Sequence, residues 1–187
     1  MVSKNIQNRY DNYQRKKKES IFAFKDRICI IIYGAYNPPA DRIHPGEKER
    51  LIKLRDRLRA DGYINTAIVE DLPDDKESDI SNLEKSLNCL GMADLNILVF
   101  TCRGKTGSVA RELLHAISNP IILYKCRIFE EVDKGIAAME TLLKEELSSH
   151  RYRITQVERE DDDDLYEHVS SDVFLFLRDY SLRFARC

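Results

Sequence analysis

The sequence lacks an apolar run that approaches the roughly 20 residues of a membrane-spanning helix. Its N-terminus also lacks the apolar core of a secretory signal peptide. The net charge is only −2 over 187 residues, so the chain has no basic excess with which to neutralise the phosphates of a nucleic acid. These absences predict a cytoplasmic protein with no membrane partner, and they argue against nucleic acid as its main ligand.

Cysteines and histidines with metal-binding spacing are also absent. The five cysteines form no CxxC pair, and the four histidines are scattered along the chain. They are Cys29, Cys89, Cys102, Cys126 and Cys187, and His44, His115, His150 and His168. Three of the cysteines lie in or at the end of apolar runs, which predicts buried free thiols in a reducing compartment. We expect no metal site, and no cofactor is predicted.

The residues that are present fit one folded domain with a terminal extension. Hydrophobic residues make up 43% of the chain, which is enough for a core at this length. Residues 1–20 have few aliphatic side chains and a basic cluster, so we predict a basic N-terminal extension followed by a single α/β domain at 21–187. The extension is interpreted as a solvated tail or short amphipathic arm, with a partner-binding or nucleic-acid-binding arm as the alternative. If it is helical, Ile6, Tyr10 and Tyr13 could pack on the domain.

Strand-like and helix-like patterns alternate along the rest of the chain. Apolar runs predict strands at 27–34, 64–70, 95–102, 120–126 and 151–158. Apolar residues at helical spacing predict helices at 44–62, 81–94, 108–118, 130–150 and 165–184. This alternation predicts an α/β fold with a five-stranded parallel sheet and helices on both faces. The commonest strand order is 2-1-3-4-5, that of the flavodoxin-like three-layer sandwich.

In this strand order, ligands bind beyond the carboxyl ends of strands 1 and 3. The loops that follow these strands, at 34–42 and 103–108, therefore matter most for function. Neither carries a known nucleotide-binding motif. The glycine that a P-loop requires five residues before Gly104 is Val99, and no GxGxxG follows strand 1.

The loop after strand 3 has the composition of an anion-binding turn. Gly104, Gly107 and Ser108 lead into a helix whose free N–H groups suit a phosphate or a carboxylate. Arg103 and Lys105 add positive charge beside them. The alternative is an ordinary turn in which Ser108 caps the helix.

Glu112 lies about one turn into the helix after strand 3, close enough to reach a ligand between strands 1 and 3. A glutamate at such a position is commonly solvated or caps its own helix, and a catalytic carboxylate is the alternative. His115 lies three residues further on, on nearly the same face, and we interpret it as a packed or surface histidine rather than a proton carrier. Asp94 is interpreted as a structural residue at the start of strand 3.

Three short motifs resemble the nucleoside 2-deoxyribosyltransferase-like group, which is related in fold to TIR domains. The motifs are Tyr-Gly-Ala-Tyr at 33–36, Ala-Asp at 93–94 and Gly-Ser…Glu-Leu-x-x-Ala at 107–116. The resemblance covers roughly residues 28–126. It implies that Glu112 is the catalytic glutamate, which attacks or stabilises the anomeric carbon of a ribosyl group as the base leaves. It also implies that Tyr33, Gly34 and Tyr36 line the substrate pocket.

The basic residues Arg103 and Lys105 stand where that group often has an acidic residue, and a basic loop suits a phosphorylated substrate such as a nucleotide or NAD. The first hypothesis is therefore an N-glycosidase or ribosyltransferase-like enzyme that acts on a nucleotide-like or nucleoside-like small molecule through Glu112. The second is a non-catalytic, TIR-like module that binds nucleotides or proteins in signalling or defence. A Glu112 that points into a pocket between loops 34–44 and 102–108 favours the enzyme, whereas a buried or outward-facing Glu112 favours the module.

The last predicted helix carries more apolar side chains than a single packing face needs. They are Val169, Phe174, Leu175, Phe176, Leu177 and Leu182. We expect part of this face to contact another subunit, so the protein is predicted to form a homo-oligomer through its C-terminal helix.

Overall fold

Strands and helices alternate along most of the chain in the structure, a computed structural model that describes residues 4–35, 46–72, 81–103 and 106–184. The helices are α1 (Lys4–Lys25), α2 (Gly46–Ala60), α3 (Asn82–Met92), α4 (Gly107–Ile117), α5 (Pro120–Tyr124), α6 (Thr141–Ser149) and α7 (Asp162–Phe184). The strands are β1 (Ile30–Gly34), β2 (Thr66–Ile68), β3 (Leu95–Phe100), β4 (Cys126–Asp133), β5 (Ile136–Ala137) and β6 (Ile154–Glu158). The predicted α/β class is confirmed.

The sequence predicted a purely parallel sheet, and this part of the prediction is wrong because the sheet is mixed. β1 lies between β2 and β3, and β4 lies between β3 and β6, with parallel pairing throughout. The short β5 folds back on the end of β4 and pairs with it in the antiparallel direction. The parallel strands follow the predicted order, with β6 in the place of the predicted fifth strand, and β5 is the addition that makes the sheet mixed.

The predicted fourth strand and the helix after it are wrong in their boundaries. Residues 120–124 form the short helix α5, and the strand follows at Cys126–Asp133. The Asn119 side chain accepts a hydrogen bond from Ile121 N at 3.1 Å, and Pro120 occupies the first turn. Asn at the N-cap and Pro at N1 both favour helix, and a five-residue apolar run alone does not distinguish helix from strand. The helix predicted at 130–150 begins only at Thr141.

Apolar side chains of the strands alternate between two clusters, one on each face of the sheet. Ile30 and Ile32 belong to a cluster that includes side chains of α2 and α7. Ile31 and Tyr33 belong to the other, which includes side chains of α3, α4 and α6. Because successive side chains of a strand point to opposite faces, helices pack on both sides of the sheet.

The N-terminal extension forms a long helix that extends from Lys4 to Lys25. Ile6 and Tyr10 are 61% and 57% exposed, so the expectation that they pack on the domain is wrong, and the side chain of Tyr13 is outside the described residues. At the other end of the helix, the rings of Phe24 and Tyr180 meet edge to face with centroids 6.2 Å apart. Within the described residues, no helix combines the length and the apolar character needed to cross a membrane.

Helix α7 is partly buried and partly exposed along the face predicted to contact another subunit. Val169 and Leu177 are completely buried, and Phe176 is nearly so. Phe174 and Leu175 are 45% and 40% exposed, while the side chain of Leu182 is outside the described residues. Most of this face therefore belongs to the core, and only part of it is open to a second subunit.

Candidate functional site

A pocket of about 620 Å³ opens beyond the carboxyl end of β1, between helices α3 and α4. It brings together five residues that the sequence analysis selected: Tyr33, Gly34, Gly107, Ser108 and Glu112. Its remaining lining comes from the segment after β2 and from α3: Val69, Glu70, Asn82, Leu83, Lys85 and Ser86, with Arg111 from α4. The predicted residues Tyr36 and Lys105, together with Gly104 and the loop residues Asp41, Arg42 and His44, lie outside the described residues.

Glu112 lies in the pocket wall with only 6% of its surface exposed. The hydroxyl of Ser86, itself buried on α3, donates a hydrogen bond to its Oε1 atom. Burial raises the pKa of Glu112 to about 7; the Ser86 hydrogen bond acts in the opposite direction, and the charge of Glu70 adds to the rise. At neutral pH the carboxyl group is therefore present in both its protonated and its ionised form, as suits a group that exchanges protons or stabilises charge.

Tyr33 forms part of the pocket wall at the end of β1. It is 1% exposed, and its hydroxyl has no hydrogen-bond partner among the described residues. Burial, first of all, raises the pKa of this phenol far above its ordinary range, and the nearby Cys89 and Glu112 contribute. The group is thus a neutral hydroxyl free to donate a hydrogen bond. Its ring is packed in the core, so Tyr33 bears on the pocket through its hydroxyl rather than through an open ring face.

Helix α4 begins at the edge of the pocket. Its N-cap is Thr106, whose side chain makes no capping hydrogen bond, and its first residue is Gly107. The alternative in which Ser108 caps the helix is therefore wrong, because Ser108 is already the second helical residue and is exposed. The first intrahelical bond is donated by Ala110 N to Thr106 O at 2.9 Å. The N–H groups that precede it point out of the helix end and suit an anion.

Of the two basic residues that the sequence analysis selected, only Arg103 lies within the described residues, and it does not reach the pocket. Arg103 pairs with Glu160 Oε1 at 2.8 Å and is not part of the pocket lining. Lys85 and Arg111 line the pocket instead, and Lys85 Nζ also donates to Leu72 O at 2.6 Å. Any anionic group of a ligand would thus meet positive charge from α3 and α4.

Two other candidates have the structural roles that the sequence analysis preferred. His115 is exposed and is not part of the pocket lining. Asp94 accepts a hydrogen bond through Oδ2 from Cys29 N at 2.9 Å, which ties the start of β3 to the residue before β1. Neither side chain contributes to the pocket.

Ser86 and Lys85 are among the pocket residues that the sequence analysis missed. They lie in α3, whose first turn is capped by the Ser81 side chain through a hydrogen bond from Glu84 N at 3.2 Å. Ser86 lies three residues after Leu83 and four before Leu90, at the spacing of the buried face. A small polar residue at a core position is the signal that could have identified it.

A second group of buried charges at the same edge of the sheet was also missed. The guanidinium of Arg50, on α2, donates to Asp162 Oδ1 at 2.5 Å and to Glu131. Glu131 is 1% exposed and also accepts hydrogen bonds from Cys102 N at 2.9 Å and Glu160 N at 3.1 Å. This network joins α2, β4, the loop after β3 and the start of α7, so we assign it a structural role.

A fourth charged residue, Glu47, lies beside this network. It is 4% exposed, and its Oε2 is 3.6 Å from Arg50 Nη1. Burial raises the pKa of Glu47 above its ordinary value, against the lowering effects of the Thr101 hydroxyl and Arg50. In the described part of the chain, no three His, Cys, Asp or Glu side chains are placed to hold a metal ion.

Comparison of the chain with protein-family models, with curated proteins and with solved structures finds no match. The site must therefore be interpreted from its own chemistry: a buried carboxyl group of raised pKa, an unpartnered phenol, a helix N-terminus and two basic side chains around one pocket.

Proposed function

We propose that this protein is a nucleotide-processing N-glycosidase or ribosyltransferase-like enzyme that acts on a nucleotide or NAD-like substrate through Glu112. The observation that carries the proposal is the position of Glu112, a buried glutamate with a pKa of about 7 in the wall of a pocket of about 620 Å³. Such a volume lies in the range of small-molecule sites. In this proposal the fold is a flavodoxin-like three-layer sandwich, with the substrate at the edge where such folds bind ligands.

The chemistry requires one ionised oxygen of Glu112 next to the sugar. Cleavage of an N-glycosidic bond leaves the bonding electron pair on the departing base and positive charge at the anomeric carbon. Ser86 holds Oε1, and no other hydrogen bond to this carboxylate is found among the described residues, so Oε2 is available to the ligand. Oε2 offsets the developing charge or captures the carbon covalently, and a water or a second base then completes hydrolysis or transfer.

The neighbouring groups suit the rest of a nucleotide. The N-terminus of α4 and the side chains of Lys85 and Arg111 supply the donors and positive charge that a phosphate needs. The Tyr33 hydroxyl has a free hydrogen-bonding capacity in a buried position, and a ligand hydroxyl or carbonyl would satisfy it.

A non-catalytic binding module remains the second candidate, and one observation favours it. Glu112 is 6% exposed and already hydrogen-bonded to Ser86, whereas an enzyme must expose its carboxylate to the substrate. In that case the same pocket binds a nucleotide or a protein segment without turnover, as a TIR-like module in signalling or defence would.

A chromatographic assay of base or nicotinamide release separates the two candidates. The wild-type protein is incubated with nucleosides, nucleotides and NAD, beside Glu112→Gln and the control Glu145→Gln, which makes the same chemical change on the exposed surface of α6. The enzyme is expected to release base with the wild type and with Glu145→Gln, and to lose at least 10²–10³-fold in rate with Glu112→Gln. Full activity of a folded Glu112→Gln protein would overturn the assignment. Nucleotide binding without any turnover by the wild type would support the module.

A further inference from the structure

Helix α1 has a long stretch that its own domain does not cover. The helix has 22 residues, or about 33 Å at 1.5 Å per residue. All described side chains between Ile6 and Glu19 are exposed, and burial begins only at Phe24 and Lys25. Within the exposed stretch, pairs such as Gln7 with Asp11 and Arg15 with Glu19 each contribute only a few tenths of a kcal/mol. A helix of this length in water gains most of its stability from packing, so this stretch needs a surface to pack on.

The exposed stretch has an apolar face and a strong positive charge. Ile6 and Tyr10 are four residues apart and therefore on the same face, and Phe24, which packs on the domain, lies five turns along that face. The first 25 residues carry seven basic and two acidic side chains, a net charge of +5, so the rest of the chain carries −7 within the total of −2. Two copies of α1 would repel one another, whereas the domain of a second copy would attract it.

A groove that could receive the helix lies beside the C-terminal end of α1. It has a volume of about 460 Å³ between α5 and α7. Its apolar lining includes Ile121, which is 74% exposed, Tyr124, which is 52% exposed, and Phe176. Tyr180 lines the groove and also contacts Phe24. The groove therefore lies beside the Phe24 end of α1, where the uncovered stretch begins to leave the domain.

We propose that α1 of one copy docks in the α5–α7 groove of a second copy, and that the exchange is reciprocal. Ile6 and Tyr10 would pack on Ile121 and Tyr124. The groove itself is lined by two acidic residues, Asp94 and Asp179, and by two basic ones, Lys125 and Arg127, so the attraction would come from the net negative charge of the partner's domain as a whole. A two-fold arrangement forms the helix–groove contact twice, and it avoids the repulsion between two α1 helices of like charge. This surface is independent of Glu112 and its pocket.

The test is the molar mass of the full-length protein in solution, measured by light scattering after size exclusion. The wild type is expected at about twice 21.8 kDa, with dissociation as salt screens the charges. Ile6→Glu/Tyr10→Glu on the helix and Ile121→Glu in the groove are each expected to give monomers. Leu142→Glu, at a 75% exposed position on α6, is the control and should remain a dimer. Circular dichroism checks that each variant is folded.

Mixing the two monomeric variants distinguishes helix exchange from other dimers. The helix variant retains an intact groove and the groove variant retains an intact helix, so helix exchange predicts that their mixture regains the mass of a dimer. Contact between two α1 helices predicts instead that the Ile121→Glu protein alone is still a dimer. A monomeric wild type would overturn the proposal. So would a monomer that binds phosphatidylserine vesicles through α1, which would assign the basic helix to a membrane surface instead.

Discussion

Replacing Glu112 by glutamine is expected to stabilise the folded protein at alkaline pH and to leave its stability almost unchanged at acid pH. The amide keeps the shape of the side chain and can still accept the hydrogen bond from Ser86. It removes the negative charge that burial makes unfavourable. The same substitution that removes the proposed activity should therefore strengthen the fold, which no loss of a structural contact would do.

The magnitude follows from the pKa of Glu112, which burial raises from the ordinary 4.5 to about 7. The folded state holds this proton more tightly than the unfolded state, so the stabilisation is complete below the unfolded pKa and is lost as the pH rises through the folded pKa. The pKa difference corresponds to a loss of on the order of 3 kcal/mol in the free energy of unfolding of the wild type when Glu112 is ionised. Glu112→Gln should be more stable than the wild type by about this amount above about pH 7. In a domain of this size, each kcal/mol corresponds to about 2–4 °C in the melting temperature.

The assay is urea unfolding of wild type, Glu112→Gln and Glu145→Gln from about pH 5 to about pH 8.5, a window that spans the folded pKa. The free energy of unfolding of Glu112→Gln should exceed that of the wild type by an amount that grows up to about pH 7. Above that pH the difference should stay constant. The surface variant should follow the wild type within about 0.5 kcal/mol. Two results would refute the reasoning: a Glu112→Gln protein that is less stable than the wild type at high pH, or a difference in the free energy of unfolding between the two proteins that is the same at every pH.

Three further substitutions test, by urea unfolding, a buried ion network, a buried hydroxyl and a close packing contact. Arg50→Met should destabilise by about 3–5 kcal/mol, because it leaves Glu131 buried without its cation; a loss under about 1 kcal/mol would contradict a structural role for the network. Tyr33→Phe should stabilise the ligand-free protein by about 1 kcal/mol, since it removes an unpartnered buried hydroxyl, and a loss of stability would mean that the hydroxyl has a partner. Gly34→Ala should cost about 1–3 kcal/mol, because its Cβ would lie 2.7 Å from Leu51 Cδ1, and a neutral result would show that Leu51 moves freely.

The first half of the sheet could be predicted from local sequence because its strands are buried on both faces. Residues 30–34 are a continuous apolar run, and residues 95–100 are apolar except for Asn96; each strand is completely buried between the helix layers. For such strands the apolar run is itself the consequence of the fold. The pattern therefore identified the strands, and alternation with helices identified the order of the parallel strands.

The second half could not be predicted in the same way, because β4 buries charge. Glu130 and Glu131 are each 1% exposed in the middle of this strand. Lys144 Nζ lies 2.7 Å from Glu130, and Met139 N donates to the same carboxylate at 2.9 Å, while Arg50 reaches Glu131 from 81 residues away in the chain. In the sequence, two adjacent glutamates indicate an exposed helix start. Only the tertiary partners make them buried strand residues.

The site was predicted in part for a similar reason. The position of Glu112 followed from its distance in the sequence from the end of strand 3, which is a local feature, together with the commonest strand order of such sheets. Its partner Ser86 is 26 residues away on another helix, and the pairing of α3 with α4 is a property of the fold. Arg103 was selected by charge alone, but its partner Glu160 comes from the segment before α7, where the local sequence gave no indication of contact.

Two of the buried carboxylates, Glu131 and Glu112, differ in a way that argues for function at Glu112. Glu131 has the cation of Arg50 and two backbone N–H donors, as a fold that needs the charge for structure would provide. Glu112 has only the Ser86 hydroxyl, lies near the like charge of Glu70, and has no ion pair among the described residues. A glutamine or an apolar residue there would be more stable. Strongly perturbed, uncompensated carboxyl groups beside a pocket are characteristic of functional sites, and the cost of burying this one is the strongest physical argument that Glu112 serves a ligand rather than the fold.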